Sequence, residues 1–296
     1  MSAVPDNRPV RGPAPGRPGP PPAPSQPRSP RFRLSPSLFV GLALLLAVVG
    51  VAVFADLLAP ANPARAAGPA LQPPSARYWF GTDDLGRDVL SRIVYGSRVS
   101  LLVGMLVALT SGLVGTLVGG VAGYLGGWTD DGLMRLTELV QVLPRFFLAI
   151  LIAALFGSSV WLVAVLLGLT FWPSTARLVR AQVLSLRARE FVVAARSLGA
   201  SEARVLRRHL LPNALSVVLV STALQVGGAI LVEAGLSFLG LSDPTVVSWG
   251  AMLNTAQPFF RTAWWLSVCP GIAILATVLG ANLVADGLQD HLGRLD

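Results

Sequence analysis

An all-α fold that crosses a membrane six times is what this sequence predicts, and three observations predict it. Apolar residues make up 53% of the 296 and charged ones only 13%, with a mean hydropathy of +0.64. That is more apolar surface than a soluble domain of this length can hide in one core. Six runs approach the length of about 20 residues that a helix needs to cross the hydrocarbon: Leu38 to Leu58, Val99 to Tyr124, Leu139 to Phe156, Val160 to Val179, Leu215 to Leu236 and Trp264 to Val284. None alternates as a barrel strand does, and in lipid every backbone polar group has to be bonded within its own segment, so the runs are helices.

The chain opens with 36 residues that hold twelve prolines and almost no large apolar side chain. Such a composition buries too little surface to offset chain entropy, and a disordered cytoplasmic tail is expected over 1–36. The first apolar run starts only near Leu38 and is long enough to span, so it is expected to stay attached as an uncleaved helix. It forms, with the loop after it, a unit over 37–98, and the transmembrane core is expected over 99–290.

Orientation follows from arginine. The tail to Pro36 carries six Arg against Asp6, and Arg177 to Asn213 carries eight against Glu190 and Glu202. Both segments are expected on the cytoplasmic side, with both termini there. An even number of spans agrees, since four crossings separate the two segments. The loop from Arg65 to Arg98 has five Arg against three Asp and is expected outside, its mixed charges pairing locally.

Several functions are excluded or disfavoured. All 23 basic side chains are Arg, and a chain without Lys cannot carry the phosphate-binding loop that ends in Gly-Lys-Ser/Thr. The chain is therefore not itself a P-loop ATPase. Its single cysteine, Cys269, allows no intramolecular disulfide, and His209 and His291 offer no metal-ligand spacing. No paired carboxylates or nucleophile with a base lie inside the spans, which argues against an intramembrane enzyme.

The most polar stretch of the second half, "EFVVAARSLGASEARVLRRHLLPNA", runs from Glu190 to Ala214 between two apolar runs. A helix is expected from Glu190 to Leu198, a left-handed stop at Gly199, a cap for a second short helix at Ser201, and its end at Pro212. This is a compact helical hairpin on the cytosolic surface, either a docking element for a soluble partner or a connection made basic by topology alone.

The hairpin resembles the EAA loop of the permease subunits of ATP-binding-cassette importers. Ala194, Ala195, Gly199, Leu211 and Pro212 match that motif at its spacing, whereas Val193 stands in place of its Glu and His209 in place of its Ile. Glu190, one turn earlier, is placed to substitute in part for the missing Glu. Five further stretches, "FGTDDLGRDVLSRIVYGSRVSL" from Phe80, "GYLGGWTDD" from Gly123, "WPSTARLVRAQVLSLRAREFVVAARSLGAS" from Trp172, "EAGLSFLGL" from Glu233 and "SWGAML" from Ser248, are similar to the dipeptide/oligopeptide/nickel permeases, and to the second of their two paired membrane subunits.

The resemblance implies a type I importer permease fold and a non-catalytic translocation subunit. It implies pairing with a homologous second permease, two cytosolic ATP-binding subunits that hold the ATP and Mg, and an extracytoplasmic peptide-binding lipoprotein, in membrane lipid and without nucleic acid. Glu190, Ala194, Ala195, Gly199, Leu211 and Pro212 would couple it to an ATPase. The cargo implied is a di- or oligopeptide, with nickel, glutathione or another small solute as the alternative; a secondary transporter or channel would not need the hairpin.

Within the spans, Gly115, Gly119 and Gly123 repeat every four residues, the spacing that lets helices approach closely. Glu233 is an ionisable residue within an apolar run, and a structural hydrogen bond at the outer gate and a contact with solute are equal expectations for it. Asp286 and Asn282 are expected to cap or to meet an interface. Trp249, Trp264 and Trp265 are expected in an aromatic belt at the outer interface. Residues Phe80 to Arg98 are consistent with an amphipathic helix lying on the membrane, which either seats the binding protein or leads into the second span.

Overall fold

The computed structural model describes residues 35–157, 159–241 and 243–292. The expected Pro-rich tail lies outside the described residues except for its last two positions. Helix α1, Pro36–Val53, starts where the Ser35 hydroxyl accepts the Leu38 N–H at 3.3 Å with Pro36 in the first turn. It stops at Phe54 rather than at Leu58, and a single turn, α2, Ala55–Leu58, follows.

A hydrogen-bonded loop then leads to α3, Val89–Leu125. Asp83 accepts from the Arg87 N–H at 2.8 Å and from Arg87 Nε at 2.6 Å, and Arg92 lies 3.4 Å away. Asp88 caps α3 by accepting the Ser91 N–H at 2.8 Å. The surface helix expected over Phe80 to Arg98 is not there. Residues 80–88 are loop, and the ten residues before Val99 are the first turns of α3, their apolar side chains Val89 and Ile93 turned into the core. The strong cap at Asp88 fixes the start, and Asp83 satisfies the buried Arg92, so the polar residues of this stretch face inward. The expected boundary at 98/99 falls inside this helix.

The expected third span is not one helix. Helices α4, Gly127–Val142, and α5, Arg145–Phe156, meet at Leu143–Pro144 with a bend of 71°. Proline removes an N–H and pushes the residue before it out of the helical region, and Leu143 has ψ 121°. Among the described residues five helices are long and apolar enough to cross a membrane, and a sixth crossing exists if the bent pair counts as one span.

Helix α6, Val160–Arg187, is followed by α7, Glu190–Ser197, and α8, Glu202–Val205. A π-helical turn at Leu206–Leu210 joins α8 to α9, Leu211–Phe238, so that 202–238 forms one continuous span. Pro212 therefore does not end the second helix of the hairpin as expected. It sits in the first turn of α9, and the π turn before it takes up the change of bonding register. Helix α10, Trp249–Ala256, a 3₁₀ turn at Gln257–Phe259 and α11, Trp265–Leu292, complete the described chain.

Among the described residues three apolar clusters run along this bundle. One joins the start of α3 to α10, α11 and the end of α9; a second joins α3, α5, α6 and α9; a third joins the ends of α3 and α6 to α7, α8 and the start of α9. Two of the three expected belt tryptophans belong to the first cluster. Trp249 is 1% exposed and donates to the Ile93 carbonyl at 3.0 Å, and Trp265 donates to the Thr82 carbonyl at 3.2 Å. An indole whose N–H finds a buried carbonyl no longer needs the interface. Of these three, Trp264 alone remains exposed.

Candidate functional site

The hairpin is built from its turn outward. Gly199 has φ 82°, which a residue without Cβ adopts freely. Its N–H donates to the Arg196 carbonyl at 2.9 Å, and the Ala200 N–H donates to the Ala195 carbonyl at 3.1 Å. These paired bonds form a Schellman stop, satisfying carbonyls that the end of α7 leaves open. Ser201 starts α8 with no side-chain cap bond.

The inner face of the hairpin is fixed to the bundle. Val192, Val205 and Leu210 are fully buried with Tyr124, Val179, Val183 and Leu186. Arg196 donates to the Tyr124 hydroxyl at 3.3 Å and lies 3.4 Å from Glu202, while Arg187 donates to the Tyr124 carbonyl at 2.9 Å. Leu211 packs on Gly120 of α3. The outer face is apolar yet open: Leu198 is 90% exposed at the tip and Val193 is 55% exposed on α7. Glu190, Ala194 and Pro212 are also exposed, and Ala195 is half-buried. Leu198 and Val193 leave this tip apolar and uncovered by the rest of the described chain.

The three glycines of α3 all meet α6. A Cβ on Gly115 would stand 2.6 Å from Cβ of Thr175, and one on Gly123 would stand 2.8 Å from the Arg180 carbonyl oxygen. On Gly119 it would run into the Ala176 backbone. Asp130 of α4 closes the same region by accepting from Arg180 Nε at 2.5 Å and Nη2 at 2.6 Å.

Glu233 lies five residues before the end of α9 and is 4% exposed. Its Oε1 accepts from the Ser237 hydroxyl at 2.8 Å, against the start of α10, where the Ser248 hydroxyl accepts the Ala251 N–H at 3.2 Å. The cavity it shares with Ser237, Ser248 and Asp243 is about 10 Å³, far below the size of a ligand pocket. Asp243 ties this corner to α6 by accepting the Val160 N–H at 3.3 Å. Hydrogen bonds from Thr245 hold the Asp243 carboxyl below its usual range.

Two features escaped the sequence reading. Gln225 donates to Thr175 at 2.6 Å and to Ser221 at 3.1 Å, and accepts from Ser111, in a buried cluster that joins α3, α6 and α9. Helical spacing links Ser221 to Gln225, but nothing in the sequence brings Ser111 and Thr175 to them. Arg145 leans on Phe171 of α6, and its signal was legible: a cation inside an apolar run, just after a proline.

The model of a protein family described as the inner-membrane component of binding-protein-dependent transport systems matches residues 115–295, the stretch from the glycine stripe through the hairpin and α11. The chain belongs to that family. It is a multi-pass membrane permease. This permease is 40% identical to the dipeptide transport system permease protein DppC of Escherichia coli, with 99% of this chain and 98% of that protein covered. It is 38% identical to the protein of the same name from Alkalihalophilus pseudofirmus, over 86% of this chain and 84% of that one.

Proposed function

We propose that this permease is one of two membrane subunits of an ATP-driven importer that moves di- and oligopeptides into a bacterial cell by alternating access. The observation that carries the reading is the hairpin. Its inner face is locked into the ends of α3, α6 and α9, and its outer face offers Leu198 and Val193 to a partner. A cleft on a cytosolic ATPase that closes on ATP would then move three spans as one rigid body. Glu190, Ala194, Ala195, Gly199, Leu211 and Pro212 form or support this coupling element, and Gly115, Gly119 and Gly123 keep α3 on α6 so that the push is transmitted.

The arginine distribution supports a cytoplasmic hairpin and cytoplasmic termini. ATP and Mg belong on two partner ATPases, the second membrane subunit is a homologous permease, and an external binding lipoprotein delivers the cargo. The peptide cargo is supported by the names of the two relatives. Extraction in mild detergent and affinity capture of the chain tests the reading: a second permease, ATPase subunits and a binding protein come with it, and vesicles holding the complex take up dipeptide only with ATP. A chain captured alone, or uptake without ATP, sinks it.

Glu233 serves in this reading as a buried acceptor for Ser237, one turn on in α9, in the corner where the end of α9 meets α10. Glu233→Gln keeps an oxygen for Ser237 and is expected to retain uptake within about twofold. Glu233→Leu, which removes the acceptor, is expected to lower uptake and thermal stability together. Loss of uptake in Glu233→Gln with unchanged stability would instead place the charge on the cargo path.

A further inference from the structure

Arg145 opens α5, and its guanidinium lies against α6. Nη2 donates to Ser174 Oγ at 3.0 Å, and Cζ stands 4.5 Å from the centre of the Phe171 ring. Among the described residues no carboxylate pairs with it. Ser174 is 14 residues from Val160 and 13 from Arg187. At 1.5 Å per residue this puts it about 20 Å from Val160, in the inner half of a hydrocarbon layer about 30 Å thick, with Arg177 at the cytoplasmic edge of the apolar run.

A cation at that depth does not face lipid; it faces another protein surface or an aqueous cavity. The surroundings point outward from this protomer. Arg145 is only half-buried, Leu143, Pro144, Phe146 and Phe147 are exposed beside it, and Arg177, one turn beyond Ser174, is exposed and equally without an ion pair. The break at Leu143–Pro144 adds to the positive field. The first intrahelical bond of α5 runs from the Leu148 N–H to the Pro144 carbonyl, so the N–H groups of Arg145, Phe146 and Phe147 have no acceptor within the helix. Interrupted spans whose positive helix ends lie within the membrane are a recurrent way to hold an anionic group in transit.

We propose that Arg145, with Ser174 and Arg177 beside it, is an intramembrane binding point for the free carboxylate of the transported peptide. The proposal rests on the peptide reading above. The terminal carboxylate is the group that unmodified peptides share whatever their side chains, so one fixed cation serves many cargoes. Stacking on Phe171 and the bond to Ser174 orient the guanidinium, and its remaining N–H donors stay available. Contact through one oriented side chain also keeps the site weak enough to release its cargo.

Reconstituted complexes with wild-type, Arg145→Gln or Arg145→Lys permease are compared for uptake of a dipeptide and of its C-terminal amide, each variant scaled to wild type for the same compound. That scaling removes any preference of the binding protein. Losing a charge-assisted contact is expected to lower dipeptide uptake in Arg145→Gln about tenfold, with Arg145→Lys intermediate and the amide changed less than twofold. If wild type carries no amide at all, recovery by Lys relative to Gln decides. An equal fall for both compounds, equal loss in Gln and Lys, no fall in either, or loss of the second permease from Arg145→Gln complexes overturns the proposal; the last assigns Arg145 to a subunit contact. Wild-type vesicles that take up no peptide at all overturn the peptide reading instead.

Discussion

Gly199→Val is expected to abolish ATP-driven uptake while the chain still inserts, folds and pairs in the membrane. Position 199 sits at φ 82°, and an added Cβ would meet nothing within 4 Å. The penalty is therefore entirely in the backbone, about 1–3 kcal/mol for a β-branched residue held in the left-handed region. It falls on the turn between α7 and α8, and the two Schellman bonds at Arg196 and Ala195 are the first to go. The buried side of the hairpin, with Val192 and Val205, remains anchored, so the loss is of tip geometry and not of the bundle. Uptake and ATP hydrolysis measured together in the same vesicles read the result: uptake falls at least tenfold, and hydrolysis either disappears with the ATPases or continues uncoupled. Gly199→Asn is the control, because Asn tolerates this conformation, and it is expected to keep most uptake. Normal coupled uptake in Gly199→Val would reduce the hairpin to an ordinary loop.

Gly119→Leu is expected to act at the opposite level, on the fold. Here the obstacle is the Ala176 backbone, whose carbonyl carbon would stand 2.9 Å and Cα 3.0 Å from the new Cβ. No rotamer change relieves a clash with a main chain, so α3 and α6 have to separate, and the neighbouring contacts at Gly115 and Gly123 open with them. Overpacking of this kind costs about 1–3 kcal/mol in soluble cores, and sometimes more. The expected result is a lower midpoint of thermal unfolding in detergent and less monodisperse permease. Gly50→Leu serves as the comparison, since an added Cβ there meets nothing within 4 Å. Equal stability of the two variants would show that the stripe is not a packing surface.

The same two glycines show why parts of this protein were legible early. A left-handed turn is a property of one residue and its immediate neighbours, so Gly199 after an amphipathic helix could be placed without knowing what packs around it. The glycine stripe needs only the helical period to put three small residues on one face. Which helix would lie against them is not local information. Charge shows the same division: the cap at Asp88 is three residues from the Ser91 N–H that it accepts, but Asp130 finds Arg180 fifty residues away.

By itself, the sequence determined the class and the approximate path of the chain. Apolar runs long enough to cross lipid leave a helix no alternative, and arginine-rich segments separated by an even number of runs suggest how it is threaded. The tertiary structure decided where polar and aromatic groups end up inside that frame. Trp249 and Trp265 looked like interface anchors, yet each donates to a carbonyl more than 150 residues earlier and is buried there. Pro144 bends one expected span into two helices, whereas Pro212 and Pro173 sit inside spans that continue. The difference lies in whether neighbouring turns can re-form the bonds a proline removes, and that depends on packing from distant helices. Arg145 followed the same rule: its presence in an apolar run was visible, but its position opposite Ser174, with no carboxylate among the described residues beside it, exists only once α5 has folded against α6.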